Sequence, residues 1–383
     1  MSRNIAKRAY LSFLDSNGDL MDVCIYSPSE KIWGGGQIYI ENLCRYFNET
    51  GIPTAIATAE PESFNCPTLC INSVASKLHR LKTAPALART LKRQGAQVIV
   101  LNDLSSLWLA PVFRAFGLKV VSLLHLYLQR RNAAGLGHGY LEYHLLRFSS
   151  HFTHRIFSVN KDNQRSFPVS VEFVGNFISP WFFSASDSEN KQYDIGLVAR
   201  LSVEKNVPLF VQLVARLNEV SERPIRALIV GRGEEEARIK RKIARLGMQE
   251  HIELLPWVER SHLPAVFDRL KCFAITSHHE GFATTVLEAH ARGVPAISTR
   301  SAGYCAEFLT DVEPLTGLAF DPDEVASDDF VQRVLELIER HGDYRAHCIE
   351  KASLFSEERV LGDICRGIQS LLTNANTQQA NQR

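Results

Sequence analysis

The chain has 383 residues, enough for two ordinary domains, with 45% apolar and 22% charged residues as in a soluble globular protein. A formal charge of +1 offers no basic excess for nucleic acid. The longest apolar run, VVSLLHLYL (120–128), contains His125 and falls well short of the ~18 residues that cross a bilayer.

The N-terminal segment MSRNIAKRAYLSFLD lacks a signal-peptide core. Of the eight cysteines, only Cys66 and Cys70 stand close together, and the set reads as reduced intracellular thiols. β-rich apolar runs are expected as strands at 21–27, 54–59, 97–103, 119–125, 155–160 and 171–177, with helical segments between them. After the first strand come Gly34, Gly35 and Gly36. They are expected to form a loop before the next helix. Such a loop either lets backbone N–H groups approach a ligand or is merely flexible. The segment 73–95 places Val74, Leu78, Leu81, Leu87 and Leu91 at helical spacing, with Lys77, Arg80, Lys82, Arg89, Lys92 and Arg93 on other faces. It reads either as a helix covering a sheet or as one docking on an anionic membrane surface. His125 ends its strand on the edge where doubly wound sheets bind ligands. It can hydrogen-bond a sugar hydroxyl or move a proton there, or be a packed structural histidine.

The polar stretch SASDSENKQ (184–192) is expected to be a linker, because a second run of strands follows at 194–201, 226–231, 252–258, 272–277 and 295–299. The predicted fold is α/β: two Rossmann-like, doubly wound domains facing across a cleft, at 1–185 and 186–372, with the last helix packing back on the first domain. A disordered tail is expected at 373–383. Arg200 and Lys205 follow one strand, where both cations could reach a diphosphate or lie in a solvated loop with Glu204 pairing locally. Gly231 and Gly233 form a turn that could approach a nucleotide. The acid-to-base helix after it reads as an exposed face. Asp321-Pro322-Asp323 reads as a helix cap better than as a metal site.

Within AITSHHEGFATTVLEAHARGVPAIST (274–299), Glu280 falls in a loop before a short helix and Glu288 about one turn inside it. A helix N-terminus suits phosphate, and flanking carboxylates suit hydroxyl groups, which together describe a nucleotide sugar. The plainer reading is a dipole partner and a solvated mid-helix glutamate.

VARLSVEKN, LIVGRGEEE, HHEGFATTVLEAHARGVPAIST and GLAFDP stand in the order and spacing of an E-x7-E element and its flanks. Over about 194–322 the chain resembles the retaining glycosyltransferases of family 4, which have the GT-B fold. The N-terminal half agrees more loosely, through GGGQIYIENL, LLH and VGNFI. GNFI departs from the commoner Asn-Gly order at that turn. The resemblance implies that Glu288 binds the donor ribose and that Glu280 meets the transferred sugar with N–H groups of Gly281, Phe282 and Ala283. Arg200 and Lys205 would hold the diphosphate, Val258 or Trp257 would lie at the base, the glycine loop would approach phosphate or acceptor, and His125 the sugar. It further implies no cofactor or metal, a UDP- or GDP-sugar as donor, and a glycan or lipid-linked glycan as acceptor in surface polysaccharide synthesis. The expected location is cytoplasmic, at the inner face of the membrane. Two rival readings are a sugar-nucleotide epimerase on the same scaffold and a non-catalytic nucleotide-sugar-binding protein.

Overall fold

A computed structural model describes residues 20–28, 35–71, 76–130, 138–184 and 191–380. The chain divides into two compact units, Met1–Val174 with Leu361–Arg383, and Gly175–Val360.

In the first unit the strands are β1 (Val23–Tyr26), β2 (Thr54–Thr58), β3 (Thr68–Cys70), β4 (Val98–Asn102), β5 (Lys119–Leu124), β6 (Arg155–Ser158) and β7 (Glu172–Phe173). They form one sheet in the order β3-β2-β1-β4-β5-β6-β7, and every pairing is parallel. β1, β2 and β4 are buried along their whole length. Helices cover both faces, so these strands read as unbroken apolar runs rather than alternating ones. One side of the core joins Ile99, Leu101 and Val120 to Ala84, Ala88 and Leu91 of the helix Lys77–Arg93. That helix differs from expectation. Its buried stripe is Ala84, Ala88 and Leu91, whereas Leu78 and Leu81 face outward at 63% and 41% exposure. Val74 lies outside the described residues.

The second unit carries β8 (Tyr193–Val198), β9 (Ala227–Val230), β10 (Ile252–Leu255), β11 (Leu270–Ile275), β12 (Ala296–Thr299) and β13 (Gly317–Phe320). Their order is β10-β9-β8-β11-β12-β13, again all parallel. Ile195, Leu197, Ile229 and Ile297 pack against Phe210, Leu213 and Leu217 of the helix Val207–Val220 and against Phe330 and Val334. In each sheet the chain doubles back at one place, between β1 and β4 and between β8 and β11. A crevice opens at such a reversal beyond the carboxyl ends of the strands.

Several features differ from the sequence expectation, among them the strand expected at 252–258, which ends at Leu255. The first unit ends at Val174, not near 185, because the segment after it is tied into the second unit. Ile178 N–H donates to Phe355 O at 2.9 Å, and Arg292 reaches Phe182 O at 3.0 Å and Ser184 O at 2.7 Å. The expected strand 171–177 keeps only Glu172–Phe173, since Gly175 turns the backbone to φ +73°. β3 was not foreseen. It is a half-exposed edge strand without an apolar run. The expected tail from 373 on is helical to Ala380, as the last part of the helix Glu357–Ala380. NANTQQA contains no Gly or Pro to stop it. From Leu361 onward this helix belongs to the first unit, with Leu361, Ile364 and Ile368 buried.

Candidate active site

Two of the residues singled out in the second unit, Lys205 and Glu280, meet at the β8–β11 reversal. After β8 the chain passes Arg200, makes a single 3-10 turn over Val203–Lys205, and enters the helix Val207–Val220 through Asn206 at φ +46°. That turn is laced to the end of β11. Thr276 Oγ1 donates to Lys205 O at 2.9 Å, and His278 N–H donates to Glu204 O at 2.8 Å. Lys205 is thereby held against the loop after β11, where its ammonium forms an ion pair with Glu280 Oε1. Ser277 Oγ donates to the same oxygen at 2.8 Å. Side-chain exposure is 26% for Lys205 and 14% for Glu280, so the pair sits in a partly dry recess where charge counts for more than in water.

The helix expected after Glu280 runs from Thr284 to Ala291, and Glu288 is its fifth residue. Glu288 is only 2% exposed, and its Oε1 lies 3.1 Å from Arg260 Nη2. Burial pushes its pKa up, and the Arg260 guanidinium opposes that. The loop between the glutamates is braced on both sides. The Asn176 amide donates to Phe282 O, and the Phe282 ring meets Tyr304, Phe308 and Phe355 at centroid distances of 4.9, 5.3 and 5.1 Å. Ala283 N–H donates to Cys305 Sγ at 3.2 Å. Of the three N–H groups expected to face a ligand, this one is therefore already engaged.

Residues 181–355 match the family model described as glycosyl transferases group 1. The matched segment lies in the second unit. Two curated relatives agree in kind. The 2-deoxystreptamine N-acetyl-D-glucosaminyltransferase of Niallia circulans is 23% identical over 163 residues, 40% of this chain and 41% of that protein. The lipopolysaccharide core biosynthesis mannosyltransferase LpsB of Rhizobium meliloti (strain 1021) is 29% identical over 140 residues, 34% of this chain and 38% of that protein. The aligned regions thus span about two-fifths of these relatives. Among solved structures, Anabaena Alr3699/HepE in complex with UDP superposes with a TM-score of 0.75 at 16% identity, covering 91% of this chain and 100% of that one. The lipopolysaccharide outer core galactosyltransferase WaaB in its apo form gives 0.72 at 18% identity, covering 91% and 99%. The fold is that of the GT-B glycosyltransferase structures, two parallel-sheet Rossmann-like domains.

The other expected positions are distributed as follows. Arg200 does not join Lys205. Its Nη2 bonds Glu204 Oε2 at 2.9 Å with 55% of the side chain exposed, which is the local pairing weighed as the alternative. Gly231 is required by the chain itself, because a Cβ there would lie 1.9 Å from Ala199 O. It lets the end of β9 pack against the backbone that carries Arg200. Val258 and the 59%-exposed Trp257 follow β10 in the same segment as Arg260. Asp321 is spent locally, in a capping box with Glu324 and an ion pair with Arg300 at 3.3 Å.

In the first unit, Gly35 and Gly36 form the first turn of the helix Gly35–Glu49, not a loop; Gly34 lies outside the described residues. First-turn N–H groups have no intrahelical acceptor, so the turn can still offer donors. Gly36 faces His125, and a Cβ there would lie 3.7 Å from His125 Cδ2. His125 Nε2 is 2.8 Å from Asn102 Oδ1, and Asn102 Nδ2 donates to Ser27 Oγ at 3.4 Å. Burial lowers the His125 pKa against the pull of Asp103. A neutral ring with its Nε2–H given to Asn102 presents Nδ1 as an acceptor.

Sequence reasoning missed Arg260, Asn176 and Cys305. A glutamate inside a short apolar helix does signal a buried cation partner, because an unpaired buried carboxylate is costly. Nothing in the linear chain identifies that cation, 28 residues away, as Arg260.

Proposed function

We propose that the chain is a retaining glycosyltransferase. It transfers a hexose-type sugar from a nucleoside diphosphate sugar to a hydroxyl of a glycan or lipid-linked glycan, in surface polysaccharide synthesis on the cytoplasmic side. The observation that carries the reading is the Lys205–Glu280 ion pair at the β8–β11 reversal, with Glu288 in the helix that follows. The LpsB and WaaB names support the polysaccharide setting, and the UDP bound to HepE favours a UDP-sugar.

In this reading Glu288 accepts hydrogen bonds from the ribose hydroxyls, with Arg260 as its counter-charge. The base lies toward Trp257 and Val258. The diphosphate meets Lys205, with Arg200 released from Glu204, and it competes with Glu280 for the lysine charge. Glu280 and the N–H groups of Gly281 and Phe282 then meet the sugar hydroxyls. As the bond from the anomeric carbon to the phosphate oxygen breaks, the electron pair passes to the leaving diphosphate. A cation fixed beside that oxygen stabilises the separating charge. The acceptor oxygen forms the new bond to the anomeric carbon, and its proton leaves with the departing diphosphate, which has gained the electron pair. In the first unit by itself, His125 Nδ1 offers a hydrogen-bond acceptor to a hydroxyl.

Lys205→Ala should lower turnover of a UDP-sugar by about 10²–10³-fold. The substitution also leaves the 14%-exposed Glu280 without its ammonium, so the melting temperature should fall too, and turnover is compared well below both midpoints. Equal turnover by variant and parent would remove the phosphate role of Lys205.

A further inference from the structure

The helix Tyr140–Ser149 in the first unit has the wrong face outward. It buries only Leu146 and Ser149. Leu141, Leu145 and Phe148, at i, i+4 and i+7, make an apolar stripe that is 80%, 46% and 59% exposed, with Tyr140 at 73% beside it. Single exposed leucines need no explanation, but a continuous stripe of this kind does. It extends to the start of the neighbouring helix Lys77–Arg93, where Leu78 and Leu81 are also exposed. An ion pair between Lys77 and Glu142 ties the two helices together.

The charge around this ridge is one-sided. Glu142 is the sole acid in the two helices and is matched by Lys77, while Arg80, Lys82 and Arg147 remain in excess. The guanidinium of Arg130 lies over the rings of Tyr140 and Tyr143, at 5.5 and 5.2 Å. Leucines and aromatics flanked by cations fit a surface that is apolar a few ångströms below a layer of phosphate. Among the described residues no helix is long and apolar enough to cross a membrane, so the contact lies in the plane of the interface.

We propose that the ridge Leu78–Leu81 and Tyr140–Leu141–Leu145–Phe148 docks the first unit on an anionic lipid bilayer. The proposal needs neither the donor nor the acceptor assigned above. It also moves the membrane contact away from Arg89, Lys92 and Arg93. Arg89 is engaged with the Phe116 ring, 5.2 Å away, at the opposite end of its helix.

The test is flotation of the full chain with vesicles of phosphatidylglycerol in phosphatidylcholine, and with phosphatidylcholine alone. The parent should float with the anionic vesicles, and less so as salt is raised. The combined Leu141→Ser, Leu145→Ser and Phe148→Ser variant should lose binding by about tenfold or more. Its UDP-induced thermal shift should match the parent's and its melting temperature should fall only a little, since the three side chains are largely exposed and Phe148 edges the Phe152 ring at 5.4 Å. The combined Arg89→Gln, Lys92→Gln and Arg93→Gln variant should keep most of the binding. Undiminished binding by the serine variant overturns the proposal. So does a parent that ignores vesicles but forms a dimer that the serine variant breaks, which would make the ridge a self-interface. A vesicle result of either sign leaves the donor-site reading to its own experiment.

Discussion

Glu288 is a carboxyl group held where water does not reach, and burial and the Arg260 guanidinium pull its ionisation in opposite directions. Burial lifts its pKa above the ordinary 4.5, so the folded chain holds this proton to higher pH than the unfolded chain does. Stability therefore falls as pH rises from the unfolded value through the folded one, and is level beyond it. Replacing Arg260 with Met widens that window, at about 1.4 kcal/mol for each added pH unit. The melting temperatures of parent and Arg260→Met should nearly coincide around pH 4 and separate toward neutrality, with UDP affinity falling in the variant. A gap that stays constant with pH would mean that Arg260 does not govern the ionisation of Glu288. At this scale much of the site was legible. Lys205, Glu280 and Glu288 stand out because their spacing about a strand–loop–helix joint implies phosphate and hydroxyl chemistry. Arg260 and Asn176 do not, because their partners are brought to them only by the folding of the second unit.

The helix Thr284–Ala291 is the element on which the site depends, and it is packed from every side. Val286 to Ala291 are all buried. The next residue, Arg292, sends two nitrogens to Asp268 at 2.9 and 2.7 Å, and a third to the carbonyls of Phe182 and Ser184. Arg292→Leu leaves Asp268 and those carbonyls without their donor and should cost about 3–5 kcal/mol, read as a lowered urea midpoint. A change below 1 kcal/mol would mean that water replaces the guanidinium. His290, on the same helix, donates to or accepts from Thr316 Oγ1 at 2.8 Å, and burial pushes its pKa down to about 3. Because this value is below that of the unfolded chain, its contribution is full above about pH 6.5 and is lost as pH falls toward 3. In His290→Gln that part of the acid sensitivity should vanish, so the stability gap to the parent narrows between pH 6.5 and 4.5. An unchanged gap would place the ionisation elsewhere. The E-x7-E helix was readable because glycine and proline mark its end. The first-turn position of Gly35 and Gly36 was not, because glycines favour loops and only the packing of Tyr39 and Ile40 selects the helix.

The two sheets follow from alternation of apolar strands with helices, which leaves parallel pairing as the only short route. The boundary between the units was harder to place, since polarity marks 184–192 while packing and hydrogen bonds assign the segment from Gly175 to the second unit. The same division gives the C-terminal residues to the first unit, where Leu361, Ile364 and Ile368 are fully or almost fully buried. Each such side chain contributes about 1.5–3 kcal/mol, against a total of about 5–15 for a domain. A chain ending at Val360 should lose the cooperative unfolding of its first unit and precipitate on concentration. If it melts like the parent, the C-terminal helix is an accessory.

We propose that the β8–β11 reversal binds a nucleoside diphosphate, with Glu288 among its contacts. The direct measurement is the thermal shift of parent and Glu288→Ala with UDP, GDP, ADP and CMP. A single base family should raise the parent's melting temperature by several degrees, equivalent to about 2.7 kcal/mol at 100 times the dissociation constant, and Glu288→Ala should abolish the rise. An equal rise in both proteins, or no rise with any nucleotide, would contradict it.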